Sequence, residues 1–291
     1  MSTLVSKEDA SVNFILPAAK GVFEARYVRR EDRYLAVYLS TQSGCKQACR
    51  FCHLTATGQT SLVDATVSIV LAQAREVLYH YDALDSPHAK ICHYNFMARG
   101  EPLASAVILR QNRSLFSQLA EVALTRELRP KFLISTILPA DLENPLEDIF
   151  PLYHPEIYYS MYSTDPEFRK RWLPKAMPVE PALQMLKNWQ RNTGKIPKIH
   201  HALIAGENDS KADTDLICDA VEDAGLIANF NLVRYNPYSE KHGQEPSPEI
   251  IRERMHQLKE RFPMARVKMI DRVGMDVYAS CGLFYNGENK V

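Results

Sequence analysis

No stretch of this chain approaches the roughly 18 consecutive apolar residues that a membrane-spanning helix needs. Its start, with Lys7, Glu8 and Asp9, lacks the apolar core of a signal peptide. Both absences lead to the expectation of a cytoplasmic protein with no membrane partner. Net charge is also missing. Thirty-five Lys and Arg are balanced by 35 Asp and Glu, so no overall field announces a polyanionic partner. There is no low-complexity stretch and no short-period repeat. Six cysteines in a reducing compartment do not make a disulfide framework, and Cys92 and Cys218, each within an apolar run, read as small core residues. What remains is a chain of 291 residues, 46% hydrophobic and 24% charged, which fits one large domain or barrel. A monomer is expected.

Strand-like apolar runs recur at 34–40, 91–98, 131–136, 157–163, 198–205 and 229–235, and a last one at 266–271. Segments with apolar residues at three-to-four spacing separate them, at 65–79, 109–128, 181–192, 213–224 and 248–262. Such alternation predicts βα units around a parallel sheet. Six units fit an α/β fold of the partial (β/α)6 TIM-like barrel type, spanning 34–291 with a catalytic loop near its C-terminal end, preceded by an N-terminal extension over 1–33. The Ser-, Gly- and Pro-rich piece 238–248 reads as a loop over the barrel mouth. In barrels of this kind the chemistry sits at the C-terminal ends of the strands.

Cys45, Cys49 and Cys52 form a C-x3-C-x2-C cluster directly after the first barrel strand. Three close thiolates without a fourth suggest an incompletely ligated metal centre. A [4Fe-4S] cluster normally takes four cysteines, so three leave one iron open for a small molecule. Zinc and buried free thiols are the other readings, although zinc sites usually show a second ligand pair. After the second strand comes Met97-Ala98-Arg99-Gly100-Glu101-Pro102. Its glycine permits close backbone approach, and its carboxylate can accept hydrogen bonds from an ammonium group. Ser135-Thr136, Ser160 to Ser163 and Tyr235-Asn236-Pro237-Tyr238 bring polar groups to the same rim, although hydroxyls at strand ends are often helix caps and Asn-Pro is often a turn. Two arginine-rich groups, Arg26, Arg29, Arg30, Arg33 and Arg169, Lys170, Arg171, Lys175, read equally as phosphate contacts or as solvated faces.

The cysteine spacing, with Phe51 before the last thiol, resembles the signature of the radical S-adenosylmethionine (SAM) superfamily. The order of motifs over nearly the whole chain is similar to that of the radical SAM adenine methyltransferases acting on ribosomal and transfer RNA. The resemblance runs through Glu24 to Val28, Ser40 to Cys52, Gly58, Met97 to Leu103, Ile134 to Thr136, Tyr159 to Met161, Tyr235 to Pro237 and Ala279 to Gly282. It implies a [4Fe-4S] cluster on Cys45, Cys49 and Cys52, with SAM held at Gly100, Glu101, Ser135, Ser160 and Asn236. It also implies a one-electron donor such as flavodoxin or ferredoxin. Glu24 matches a glutamate near the target base. Cys281 matches a cysteine that takes a methyl group from one SAM, from which the radical made with a second SAM abstracts hydrogen before addition to the base.

The resemblance breaks at the family's other catalytic cysteine, about seven residues before the first cluster ligand. Tyr38 stands there, and it is carried as a catalytic candidate with Cys281 and Glu24. A phenol, with an ordinary pKa near 10, cannot form the disulfide that resolves the family's protein–base adduct. The small N-terminal accessory domain of the family is also not seen ahead of the cluster. The leading expectation is therefore a radical SAM enzyme acting on a nucleobase, in RNA, DNA or a nucleotide-like substrate, with methyl or methylene transfer through Cys281 as the nearest analogy. A one-SAM rearrangement or hypermodification of a base side chain in phage-type DNA, a protein-activating radical enzyme, and a zinc-stabilised binding module stay open.

Overall fold

The computed structural model describes residues 1–287. One ten-stranded sheet runs in chain order, β1 (Ser2–Val5), β2 (Val12–Pro17), β3 (Val22–Glu31), β4 (Tyr34–Leu39), β5 (Ile91–Phe96), β6 (Arg129–Thr136), β7 (Glu156–Tyr159), β8 (Lys198–Ala202), β9 (Asn229–Val233) and β10 (Val267–Ile270). The first four strands form an antiparallel meander, and every pairing from β4 to β10 is parallel. Helices fill the crossovers: α1 (His53–Ala56) and α2 (Val67–Asp82), α3 (Ala106–Leu124), α4 (Leu146–Ile149), α5 (Pro166–Trp172) and α6 (Val179–Thr193), α7 (Lys211–Asp223) and α8 (Pro248–Arg261). This is the six-unit α/β arrangement read from the sequence, with β10 as the last parallel strand.

Alternation along each strand makes it a barrel wall. On β4, Leu35, Val37 and Leu39 enter the main core against the helices, whereas Tyr34, Ala36 and Tyr38 face a central cavity. His93, Leu133, Tyr158, His200, Asn231 and Ile270, one from each remaining parallel strand, line that same cavity, so the sheet is curled around a lumen. Polar and aromatic side chains share its walls with Ala36, Met97, Leu133 and Ile270, whereas aliphatic layers usually fill such barrels. Helix starts follow their capping chemistry. Thr66 accepts from the amide of Ile69 at the start of α2, and Ser210 and Asp213 form a reciprocal capping box on α7.

Residues 2–31, within the segment read as an extension, lengthen the sheet and pack under α2. The two basic groups divide between interior and surface: Arg33, Lys170, Arg171 and Lys175 are exposed, and the others point inward. Arg26 is buried in an ion pair with Glu24, and Arg29 donates to Ser86 and to the carbonyls of Asp32 and Pro87. Arg30 enters the lumen. Arg169, also buried, holds the carbonyls of Met161, Ser163 and Met177. Cys92 and Cys218 are fully buried in the main core, as expected, and Cys92 lies on the helix-facing side of β5, away from the lumen. No helix among the described residues is long and apolar enough to cross a membrane.

Candidate active site

The cysteine loop leaves β4 at Ser40 and is fixed by its backbone. Cys45 donates to the Gln59 carbonyl at 3.1 Å, and the Arg50 amide donates to the carbonyl of Trp172 at 2.9 Å. The Phe51 ring stacks on Tyr162 at 4.5 Å, and the Arg50 guanidinium lies over Trp172 at 4.9 Å. The 238–248 segment packs onto this loop, since Arg50 reaches the Lys241 carbonyl and Tyr238 meets His53 edge-on. All three thiols are free and open onto one cavity at the C-terminal ends of the strands, with about 680 Å³ of empty space, open on one side. Among the described residues no three His, Cys, Asp or Glu side chains converge tightly enough for a single metal ion. A cluster spreads its thiolates wider than one ion does, and an all-sulfur donor set suits iron–sulfur chemistry. Burial pushes the thiols up, to about 12 for Cys45 and about 11 for Cys52, so without a metal they are neutral; a coordinating metal deprotonates them outright.

Gly100, Glu101, Ser135, Ser160 and Cys281 line the same cavity as the three cysteines. Gly100 has φ of +94°, and a Cβ there would stand 2.7 Å from Gln42 Cβ, so only glycine fits. Glu101 Oε1 accepts from the amide of Leu103 at 3.0 Å and Oε2 from that of Ile137 at 3.1 Å. Among the described residues it has no cationic partner. Burial therefore dominates and raises its carboxyl to about 7.

Three of the sequence candidates lie outside this cavity. Glu24 is fully buried: Oε1 accepts from Arg99 Nε at 2.6 Å and from the Tyr285 amide at 3.1 Å, and Oε2 from Arg26 at 3.0 Å and Asn13 at 2.8 Å. The arginines carry the ionic knot to the segment bearing Cys281, where Arg26 donates to the carbonyl of Leu283 at 2.8 Å and Arg99 to that of Tyr285. Asn236 donates to the Cys281 carbonyl at 2.8 Å and to Ser280 Oγ at 3.3 Å. Both residues thus hold the Cys281 loop in place. Tyr38 shares a second cavity with Cys281, together with Arg26, Arg30 and His200. Sequence reasoning missed Arg99 as an anchor, and His200 and Phe284 as cavity walls. The adjacent His200 and His201 within an apolar strand were the available signal.

No family model matches the chain. The fold is that of the radical SAM enzymes: a radical SAM methyltransferase from Sphaerobacter thermophilus superposes with a TM-score of 0.77 at 19% identity, covering 97% of this chain and 80% of that one. Within that class the chain is similar to proteins described as dual-specificity RNA methyltransferase RlmN. It is 26% identical over 285 residues to a probable one from a Synechococcus strain, covering 94% of this chain and 74% of that protein. The Sulfurovum protein is 25% identical over 271 residues, covering 92% and 71%.

Proposed function

We propose that the chain is a radical SAM enzyme that modifies a nucleobase in RNA, with Cys45, Cys49 and Cys52 holding a [4Fe-4S] cluster and Glu101 binding the ammonium of SAM. When bound, the cluster supplies the electron, delivered by a flavodoxin- or ferredoxin-like donor, that cleaves SAM to a 5'-deoxyadenosyl radical. The observation that carries the reading is the buried carboxyl group of Glu101, without a cationic partner among the described residues, beside three free thiols on one cavity. An ammonium group would neutralise it, while Gly100 lets backbone approach the ligand and Ser135 and Ser160 offer hydroxyls along the wall. The named RNA methyltransferase relatives support RNA as the substrate class.

The Glu101 assignment has a pH signature. Its carboxyl in the folded chain lies above the ordinary 4.5, so the folded state favours the protonated form. Stability from this group is complete below about pH 4.5 and is lost as pH rises through about 7, a cost on the order of 3 kcal/mol. Glu101→Gln should therefore raise the melting temperature of cofactor-free protein at pH 8, leave it nearly unchanged at pH 4.5, and weaken SAM binding measured by calorimetry. Unchanged SAM affinity would remove Glu101 from the site.

Cys281 lies on the wall of the cavity shared with the cluster ligands, as a methyl acceptor requires. Burial raises its thiol, and Arg26 and Arg30 oppose that; only the thiolate attacks. Methyl transfer through Cys281 is the version we favour, and Tyr38, on the other cavity shared with Cys281, cannot replace a resolving thiol by disulfide exchange. Mass analysis of the Cys281 peptide, from protein made with its cluster intact, should find a methyl increment. An unmodified Cys281 in protein that still releases 5'-deoxyadenosine would instead establish a one-SAM reaction.

A further inference from the structure

The lumen holds buried polar groups with no role in the chemistry proposed for the cysteine cavity. His200 stands where the cysteine cavity, the Tyr38–Cys281 cavity and the lumen meet, and it lines all three. It is 5% exposed, yet neither ring nitrogen has a hydrogen-bond partner among the described residues. Leaving a buried polar group unmatched is costly, so such a group calls for an explanation. Arg30 is the second unmatched group. Its Nη1 donates to Tyr38 Oη at 3.2 Å and its Nη2 to the Asp271 carbonyl at 3.5 Å, but its buried Nε has no partner, and among the described residues no carboxylate comes within ion-pair distance, Asp271 acting on it only from farther off. Each neighbouring cation has a carboxylate within ion-pair distance, although each carboxylate is shared by two cations: Glu24 by Arg26 and Arg99, Glu245 by Arg234 and Arg272, and Glu156 by Lys131 and Lys198.

The walls give the shape. Tyr34 stacks on His93 at 4.5 Å and 20°, and Tyr158 lies tilted against His200 at 5.7 Å. Together with Tyr38 these rings make an aromatic-sided slot, suited to a flat ring. Arg30 and Tyr38 present N–H and O–H donors side by side, which suits a carbonyl oxygen with two lone pairs. We propose that the lumen receives the substrate's nucleobase, and that Arg30, Tyr38 and His200 read a base edge bearing a ring carbonyl. The assignment rests on the nucleobase reading above and adds to it the class of base and the groups that select it. It also gives Tyr38 a positive role, as a recognition group where a second thiol would otherwise stand.

The test uses the cluster-loaded full chain with the SAM site filled by S-adenosylhomocysteine. Uridine, cytidine, guanosine, adenosine and inorganic phosphate are titrated separately by calorimetry. At least one carbonyl-bearing nucleoside should bind saturably, and about tenfold or more tighter than adenosine, because an edge without the matching acceptor leaves buried donors unpaired. Arg30→Met and His200→Phe should each weaken that binding by about tenfold. His200→Phe should also raise the melting temperature of the ligand-free protein, since it removes two unmatched polar atoms; a merely structural histidine would not give this opposed pair of effects. No nucleoside binding, adenosine binding tightest, phosphate alone binding, or both variants at parental affinity would each overturn the assignment. The same preparation is assayed for reductive release of 5'-deoxyadenosine from SAM. Its absence defeats the radical SAM reading itself, whereas release with negative titrations defeats only the lumen assignment.

Discussion

Cys49→Ala should abolish 5'-deoxyadenosine release and the broad visible absorbance of anaerobically reconstituted protein, while leaving the fold intact. Cys49 is 7% exposed and packs in the cluster of apolar side chains with Ile137, Tyr162 and Phe168. Losing its sulfur costs on the order of 1 kcal/mol of packing, small against a total stability of about 5–15 kcal/mol. The chemical loss should be complete, because three thiols already leave one iron unligated and two cannot hold the cluster in a defined geometry. Circular dichroism and absorbance on the same sample separate the two effects. A variant that keeps both its colour and its activity would mean that the cluster sits elsewhere. A colourless, zinc-loaded parent chain without SAM cleavage would instead favour the zinc-stabilised binding module.

Glu24→Ala should be the most destabilising single change, by about 3–5 kcal/mol, or roughly 10 °C in melting temperature. Removing the carboxylate leaves Arg26 and Arg99 as buried charges, and it leaves Asn13 and the Tyr285 amide without their acceptor. Burial works against the Glu24 charge, but Arg26 and Arg99 and the hydrogen bonds outweigh it and hold the carboxyl below its ordinary 4.5. With the folded value depressed, its contribution is present above about pH 4.5 and is lost as pH falls through the folded value. Loss of stability in acid should therefore be blunted in Glu24→Gln. Because the same knot fixes Leu283 and Tyr285, both variants should also reduce Cys281 methylation more than they reduce 5'-deoxyadenosine release. Melting within a degree or two of the parent would mean that the knot contributes little.

The parallel half of the fold was legible because its strands are apolar and its crossover helices keep a clear three-to-four period. The N-terminal meander was not. On β3, Glu24 and Arg26 interrupt the apolar pattern, and charges in sequence read as solvated unless their partners are known; here those partners come from residues 99 and 280–285. The cavity residues in compact motifs, Cys45 to Cys52 and Gly100-Glu101, were readable from their spacing, their place after the first two barrel strands and the family resemblance. Asn236 was singled out from its motif, but its hold on the Cys281 loop depends on tertiary contacts that spacing does not encode. His200 escaped notice because a histidine inside an apolar strand is usually a satisfied core residue, and only its missing partners mark it out.

The clasp between the meander and the Cys281 loop also bears on biosynthesis. Arg26 and its Leu283 acceptor are separated by 257 positions, and Asn13 and Val277 by 264. At 5–20 residues per second, the ribosome delivers that acceptor about 13–50 s after the arginine itself. During that interval Arg26 and Arg99 lack their carbonyl acceptors at Leu283 and Tyr285, and Glu24 lacks the Tyr285 amide. Contacts of such separation also slow folding in free solution. The segment bearing Cys281 is thus the last part of the clasp to be synthesised and anchored.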